Sequence, residues 1–263
     1  MHQEELLQLA DLNLAESHRE ISRWNPNTDM AEQGDLLFVC GANSFPAVNF
    51  VIRVGRRPKS PPEKLISQAK EFFGKRKRSF TIIVRTHVDR DLLDQCEELK
   101  LYQISNLPGM FIEGMLEDKP LPSGITLQRV KNEAMVNDFA EVVATSYTTL
   151  GMPENVGRSM FSDPDGFLVP HLYAVVAYQD HKPASCALAL MSHGIAGIYY
   201  VGTVETARGM GLAEHCARAV GNAALKLGAR CVILQASIFG EPIYKRMGYK
   251  EFTRYPWFVC PSR

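Results

Sequence analysis

Residues 201–213 read Val-Gly-Thr-Val-Glu-Thr-Ala-Arg-Gly-Met-Gly-Leu-Ala, a strand-like start, a glycine-bearing turn and the entry to a helix. The first N–H groups of a helix lack internal partners, and the macrodipole adds partial positive charge there. Such a turn predicts an anion site, with oriented amides gripping a phosphate or diphosphate. Gly209 and Gly211 allow close approach of the backbone, and Arg208 offers an ionic contact. Leu212, Cys216, Ala219, Ala223 and Leu227 recur at helical spacing, so a helix over 209–227 can pack on a sheet and hold the amides still. A tight strand-to-helix connection with no ligand is the alternative reading of the same residues.

Two familiar phosphate binders are excluded by residue. The triphosphate loop needs Gly-x-x-x-x-Gly-Lys-[Ser/Thr], which does not occur, and the dinucleotide fingerprint needs glycine at the position of Glu214. Downstream, residues 231–237 read Cys-Val-Ile-Leu-Gln-Ala-Ser and residues 242–249 read Pro-Ile-Tyr-Lys-Arg-Met-Gly-Tyr. Arg208 to Ala213 resembles the Arg-x-x-Gly-x-[Gly/Ala] signature of the GNAT superfamily of acyl-CoA N-acyltransferases. Residues 231–249 resemble that family's second signature, a strand followed by a helix ending in Tyr-x-x-x-Gly-[Phe/Tyr]. The resemblance covers residues 124–260.

The resemblance implies acetyl-CoA as co-substrate, with no metal. Backbone groups of Val201, Gly202 and Thr203 would pair with the pantetheine arm, and amides of Arg208, Gly209, Met210, Gly211, Leu212 and Ala213 would hold the diphosphate. Tyr244 matches the tyrosine that protonates the departing thiolate. Ser237 fits both a hydroxyl beside the coenzyme channel and a turn former. A primary amine of a small molecule or peptide would attack the thioester directly, with an N–H of the 200–203 strand facing the oxyanion. Glu205, His171, His193 and Tyr199 are candidates for the base, none singled out by spacing. Residues 146–170, with Tyr147, Asn155, Arg158, Phe161 and Asp163, lie where this family lines its acceptor pocket. A non-catalytic acyl-CoA sensor is the competing reading and an O-acyltransferase a third.

These residues need a scaffold. Periodicity predicts a helix over 4–21, strands over 35–40 and 48–54, a helix over 62–73 stopped by Gly74, a strand over 80–85, a helix over 91–99 and a strand over 110–115. Residues 119–124 hold two prolines and a glycine and read as a linker. Beyond it come a strand over 125–130, a helix over 132–150, strands over 173–178, 184–191 and 195–203, the helix over 209–227, a strand over 231–236, a helix over 241–247 and a strand from 249. The element order nearly repeats, which predicts an α/β (α+β) chain of two tandem GNAT-like domains, each a mixed, largely antiparallel sheet flanked by helices. Residues 1–120 form the diverged one and 121–263 the acyltransferase domain. In the first half the corresponding turn, residues 55–62, carries prolines that lack amide donors, so no coenzyme is expected there.

Composition agrees. The 263 residues suit two compact units, and 46% hydrophobic content can fill their cores. Lys plus Arg equals Asp plus Glu at 29 each, so no overall field draws in nucleic acid or an anionic membrane. Six cysteines without a Cys-x-x-Cys pair suggest buried thiols, and the run 75–78 of Lys and Arg reads as a solvated helix end. Residues 183–204 carry no formal charge, but Ser192, His193 and Gly194 read as a turn between strands rather than part of a membrane span. Glu4 and Glu5 without a basic start argue against a secretory signal, which predicts a cytoplasmic location.

Overall fold

The computed structural model describes residues 1–261. The first half runs α1 (Gln3–Ile21), β1 (Asp29–Gln33), β2 (Leu36–Cys40), β3 (Asn49–Arg53), α2 (Pro62–Gly74), β4 (Phe80–Ile83), α3 (Arg90–Glu98) and β5 (Tyr102–Ile112). The second runs β6 (Ile125–Arg129), α4 (Glu133–Ser146), α5 (Glu154–Ser159), α6 (Pro164–Phe167), β7 (Leu172–Gln179), β8 (Lys182–Ser192), β9 (Ile195–Thr203), α7 (Leu212–Lys226), β10 (Val232–Gln235), α8 (Glu241–Arg246) and β11 (Lys250–Cys260).

All these strands join one sheet in the order β1-β2-β3-β4-β11-β5-β10-β9-β8-β7-β6. The pairings are antiparallel except β3 with β4 and β9 with β10. Going outward from the central β11–β5 pair, order and strand sense repeat: an antiparallel step, a parallel step, then antiparallel steps. The two halves therefore share a sheet instead of closing two. β11 pairs with β4 of the first half, and β5 with β10 of the second, so each half is completed by the other's last strand.

Three elements differ from expectation. β1 was not anticipated because Asp-Met-Ala-Glu-Gln shows no clear apolar alternation; it is a mostly exposed edge strand held by β2. β5 begins at Tyr102 rather than near 110, since Pro108 and Gly109 weaken its strand signal and long pairing with β11 supplies the register. α7 begins at Leu212 rather than Gly209 because Gly209 (φ 82°) and Gly211 (φ 75°) adopt left-handed backbone.

Residues 183–204 form most of β8 and β9, and among the described residues no helix is long and apolar enough to cross a membrane. All six cysteines are buried and unbridged, with burial raising the Cys216 thiol to about 12. Apolar clusters cover both sheet faces: α7 packs Leu212, Cys216, Ala217, Val220 and Ala224 on one, while α1 and α4 cover the other over β8 and β9.

Candidate functional site

Position and backbone conformation of the turn follow from a defect in the sheet. β9 pairs with β10 only through Ala196, Gly197 and Ile198, and its remaining residues stay with β8. Opposite β8, Cys186 faces Gly202 and Leu188 faces Tyr199, so Tyr200 and Val201 together oppose Ala187. This is a β-bulge, and Tyr200 carries φ 52°. Such a conformation costs a non-glycine residue about 1 kcal/mol or more, and the packing must hold it. The Tyr200 ring sits 5.4 Å from Phe161 and 5.7 Å from Trp24, which supplies that hold. β10 meanwhile follows β5, with Gln235 opposite Gly109 and the Ala236 amide donating to the Pro108 carbonyl. Between the diverging strands lies an open wedge.

Past Thr203 the chain makes a short 3-10 turn, Glu205–Ala207, then reaches Arg208, Gly209, Met210 and Gly211 before α7 starts. Among the described residues, none of the backbone N–H groups from Gly209 to Glu214 is hydrogen-bonded, and no side chain caps the helix. A Cβ built on Gly209 or Gly211 meets nothing within 4 Å, so the turn faces open space. The one acid in the first turn of α7, Glu214, is bound to Lys119 at 2.7 Å and Arg218 at 2.5 Å. Its hydrogen bond from Lys119 holds its carboxyl below the usual range despite partial burial. The negative charge at the cradle's edge is thereby matched. Asn222 exchanges hydrogen bonds with the Leu116 main chain, pinning α7 to the segment after β5.

The wedge opens into a cavity of about 660 Å³, within the range of small-molecule sites. Its walls come from both halves: the α1 face of Leu14, Ser17, His18 and Ile21, the β2–β3 connection, the wedge, the turn and α8. Tyr244 on α8 is nearly buried, its ring edge-on to Tyr249 at 5.6 Å. Its hydroxyl has no hydrogen-bond partner among the described residues, and burial pushes the phenol well above its ordinary value.

No family model and no curated protein matches the sequence. Solved structures do. A GCN5-related N-acetyltransferase from Kribbella flavida superposes with TM-score 0.71 at 17% identity, over 95% of each chain. The fold is that of the GCN5-related N-acetyltransferases. A second such protein, from Sphaerobacter thermophilus, gives 0.64 at 17% identity over 89% of this chain and 82% of its own. A tandem GNAT protein from the clavulanic acid biosynthesis pathway gives 0.62 at 15% identity over 91% and 85%.

In this GNAT fold every position that the resemblance assigns to the coenzyme or to the proton donor borders the cavity except Met210: Val201, Gly202, Thr203, Arg208, Gly209, Gly211, Leu212, Ala213, Ser237 and Tyr244. Met210 turns inward onto the apolar cluster beneath α7. The Ser237 hydroxyl accepts from the Gly240 amide at 3.2 Å, so it closes the turn into α8 as well as bordering the cavity.

The base candidates scatter. Glu205 and His193 are exposed, His171 lies 3.1 Å from Glu20, and Tyr199 borders the cavity while donating to Asn13 at 2.8 Å. Of the five residues named in 146–170, only Tyr147 borders the cavity. Arg158 pairs with Glu141 and Glu154, Phe161 is core and Asp163 caps α6. Sequence reading missed His18, whose ring nitrogens both lack partners among the described residues and whose pKa burial lowers to about 3. Its position with Leu14, Ser17 and Ile21 on one helical face was the available signal.

Proposed function

We propose that the chain is an N-acyltransferase that moves an acetyl group from acetyl-CoA to a primary amine of a small molecule or peptide in the cytoplasm. The carrying observation is the run of free amides from Gly209 to Glu214 at the mouth of the β9–β10 wedge. Amides of Gly209 to Ala213 would grip the diphosphate, with the Arg208 guanidinium beside it, while the Arg208 amide expected to join them already donates to the Glu205 carbonyl at 3.2 Å. Main-chain groups of Val201 and Thr203 on the wedge side of β9 would take the pantetheine arm as an added strand does, while the Gly202 carbonyl, expected to join them, already accepts from the Ser185 hydroxyl at 2.7 Å. Tyr244 borders the same cavity, where it would meet the thioester of such a ligand.

In the transfer a carbon–nitrogen bond forms and the carbon–sulfur bond breaks, with the amine losing one proton. Tyr244 stays protonated through the neutral range because burial raises it, the state a donor to the leaving thiolate requires. A main-chain amide of the strand beside the bulge at Tyr200 would meet the carbonyl oxygen as charge develops on it.

The repeated order and sense of strands support a tandem duplication with its boundary near residue 120. The second half would hold the coenzyme and the first would support it. Coenzyme release by acetyl-CoA over an amine library, compared between wild type and Tyr244→Phe, tests the reading. Acetyl-CoA binding without transfer to any amine would leave a sensor in its place.

A further inference from the structure

We infer that the acceptor is an amine of low basicity, uncharged near neutral pH and carried on an apolar body, such as an arylamine. The inference rests on the acyltransferase reading above and deepens it. Among the described residues bordering the cavity, the formally charged ones are Arg208, Glu214 and Arg246. All three belong to the turn, α7 or α8, on the coenzyme side, and Glu214 is already matched by Lys119 and Arg218.

The remaining wall is uncharged. α1 presents Leu14, Ser17, His18 and Ile21, and the β2–β3 region adds Val48 and Phe50. The acids that α1 does carry nearby are committed elsewhere: Asp11 to Arg85 and His87, and Glu20 to Arg23 and His171. The phenols of Tyr147, Tyr199, Tyr200 and Tyr244 are all raised by burial and stay neutral. The His18 ring lies 4.3 Å from Phe50, tilted by 48°, and is held neutral by burial, with Arg19 opposing its charge further.

An ammonium entering this chamber would lose its water and find no counter-charge, which is strongly unfavourable. It would also find no carboxylate to take its proton before attack, and His18 is too weakly basic to do so. An amine that is already neutral avoids both costs. Polyamines, aminoglycosides and lysine side chains do not fit this chamber.

The test is calorimetric binding of 4-methoxyaniline, 4-methoxybenzylamine and spermidine to the full chain near neutral pH. The first two share shape and differ in charge. The arylamine should bind, and the benzylamine should bind about 30-fold or more weaker, recovering as the pH rises through its own titration. Thr28 borders the cavity and is half-buried. Thr28→Asp should bring the benzylamine to parity with the arylamine by supplying the missing charge. Benzylamine or spermidine binding wild type as tightly as the arylamine overturns the inference, and so does an arylamine that fails to bind. A parallel acetyl-CoA titration keeps the readings apart: coenzyme binding without amine discrimination defeats only this inference. A chain that discriminates among amines but ignores acetyl-CoA defeats only the acyltransferase reading.

Discussion

The Asp35 carboxylate takes the Ser60 amide at 3.1 Å and the Ser60 hydroxyl at 2.5 Å, and the Lys59 amide joins them at 2.6 Å. These amides lie in the first-half turn that corresponds to residues 203–211 of the second. An acid of the chain itself sits where a phosphate would have to go. Burial raises the Asp35 carboxyl, but the hydrogen bonds from Ser60 and Lys59 outweigh that and hold it below the usual range. Pro61 and Pro62, next in line at the start of α2, contribute no amide. The first turn thus holds an acid of its own beside two prolines, whereas the turn before α7 faces open space.

Acetyl-CoA should accordingly bind with a stoichiometry of one per chain. Asp35→Ala should leave that stoichiometry unchanged while lowering stability by about 1–3 kcal/mol in urea unfolding, since it strips the partner from the buried Ser60 amide and hydroxyl. Two equivalents bound by wild type would contradict the assignment of the halves.

Tyr244→Phe removes the hydroxyl and keeps the ring against Tyr249. Turnover should drop about 100-fold or more, while acetyl-CoA affinity stays within about twofold because the ring packing is retained. Steady-state kinetics alongside calorimetry separates the two effects, and undiminished turnover would dismiss Tyr244 as the proton donor.

Arg85 is 1% exposed and holds Asp89 at 2.8 Å, Asp11 at 2.9 Å and the Gly55 carbonyl. It ties α1, which walls the cavity, to the loop after β4. Removing one partner leaves buried carboxylates uncompensated, so Arg85→Met should cost about 3–5 kcal/mol in urea unfolding. A loss under about 1 kcal/mol would show that the cluster is dispensable.

The neutral His18 also sets an acid limit. Its folded pKa, near 3, lies below the ordinary 6.5. The unfolded chain therefore binds the proton first. The contribution is fully present above about pH 6.5 and is lost as the pH falls toward 3, at about 1.4 kcal/mol per unit. His18→Leu should flatten that limb of the stability–pH curve, measured by thermal unfolding from pH 7 to 4. An unchanged slope would place the acid sensitivity elsewhere.

The second half of the fold was largely legible in the sequence, because glycines and helical periodicity bracket the turn before α7. The family resemblance, rather than spacing, implied that Tyr244 shares a site with residues 201–203 and the turn before α7, and these border one cavity apart from Met210. The exchange of β5 and β11 was not legible, since it depends on pairing between strands about 150 residues apart, which no local pattern encodes. Nor was the split of β9 from β10. It depends on a bulge at Tyr200 that aromatic packing stabilises, and a β-branched or aromatic residue carries no signal for left-handed backbone. The α1 wall of the cavity was missed for a related reason: α1 lies about 180 residues from β9 in sequence and meets it only through the fold, as in the Asn13–Tyr199 hydrogen bond.

Calorimetric titration of acetyl-CoA into wild type, Gly211→Ala and Gly211→Glu tests the open amide row most directly. Both variants load the same left-handed position at about 1 kcal/mol, but only the glutamate places negative charge beside the amides. Wild type should bind one equivalent, the alanine variant nearly as well, and the glutamate variant at least about tenfold weaker. No heat from wild type, or equal affinity in wild type and the glutamate variant, would contradict a diphosphate cradle at the start of α7.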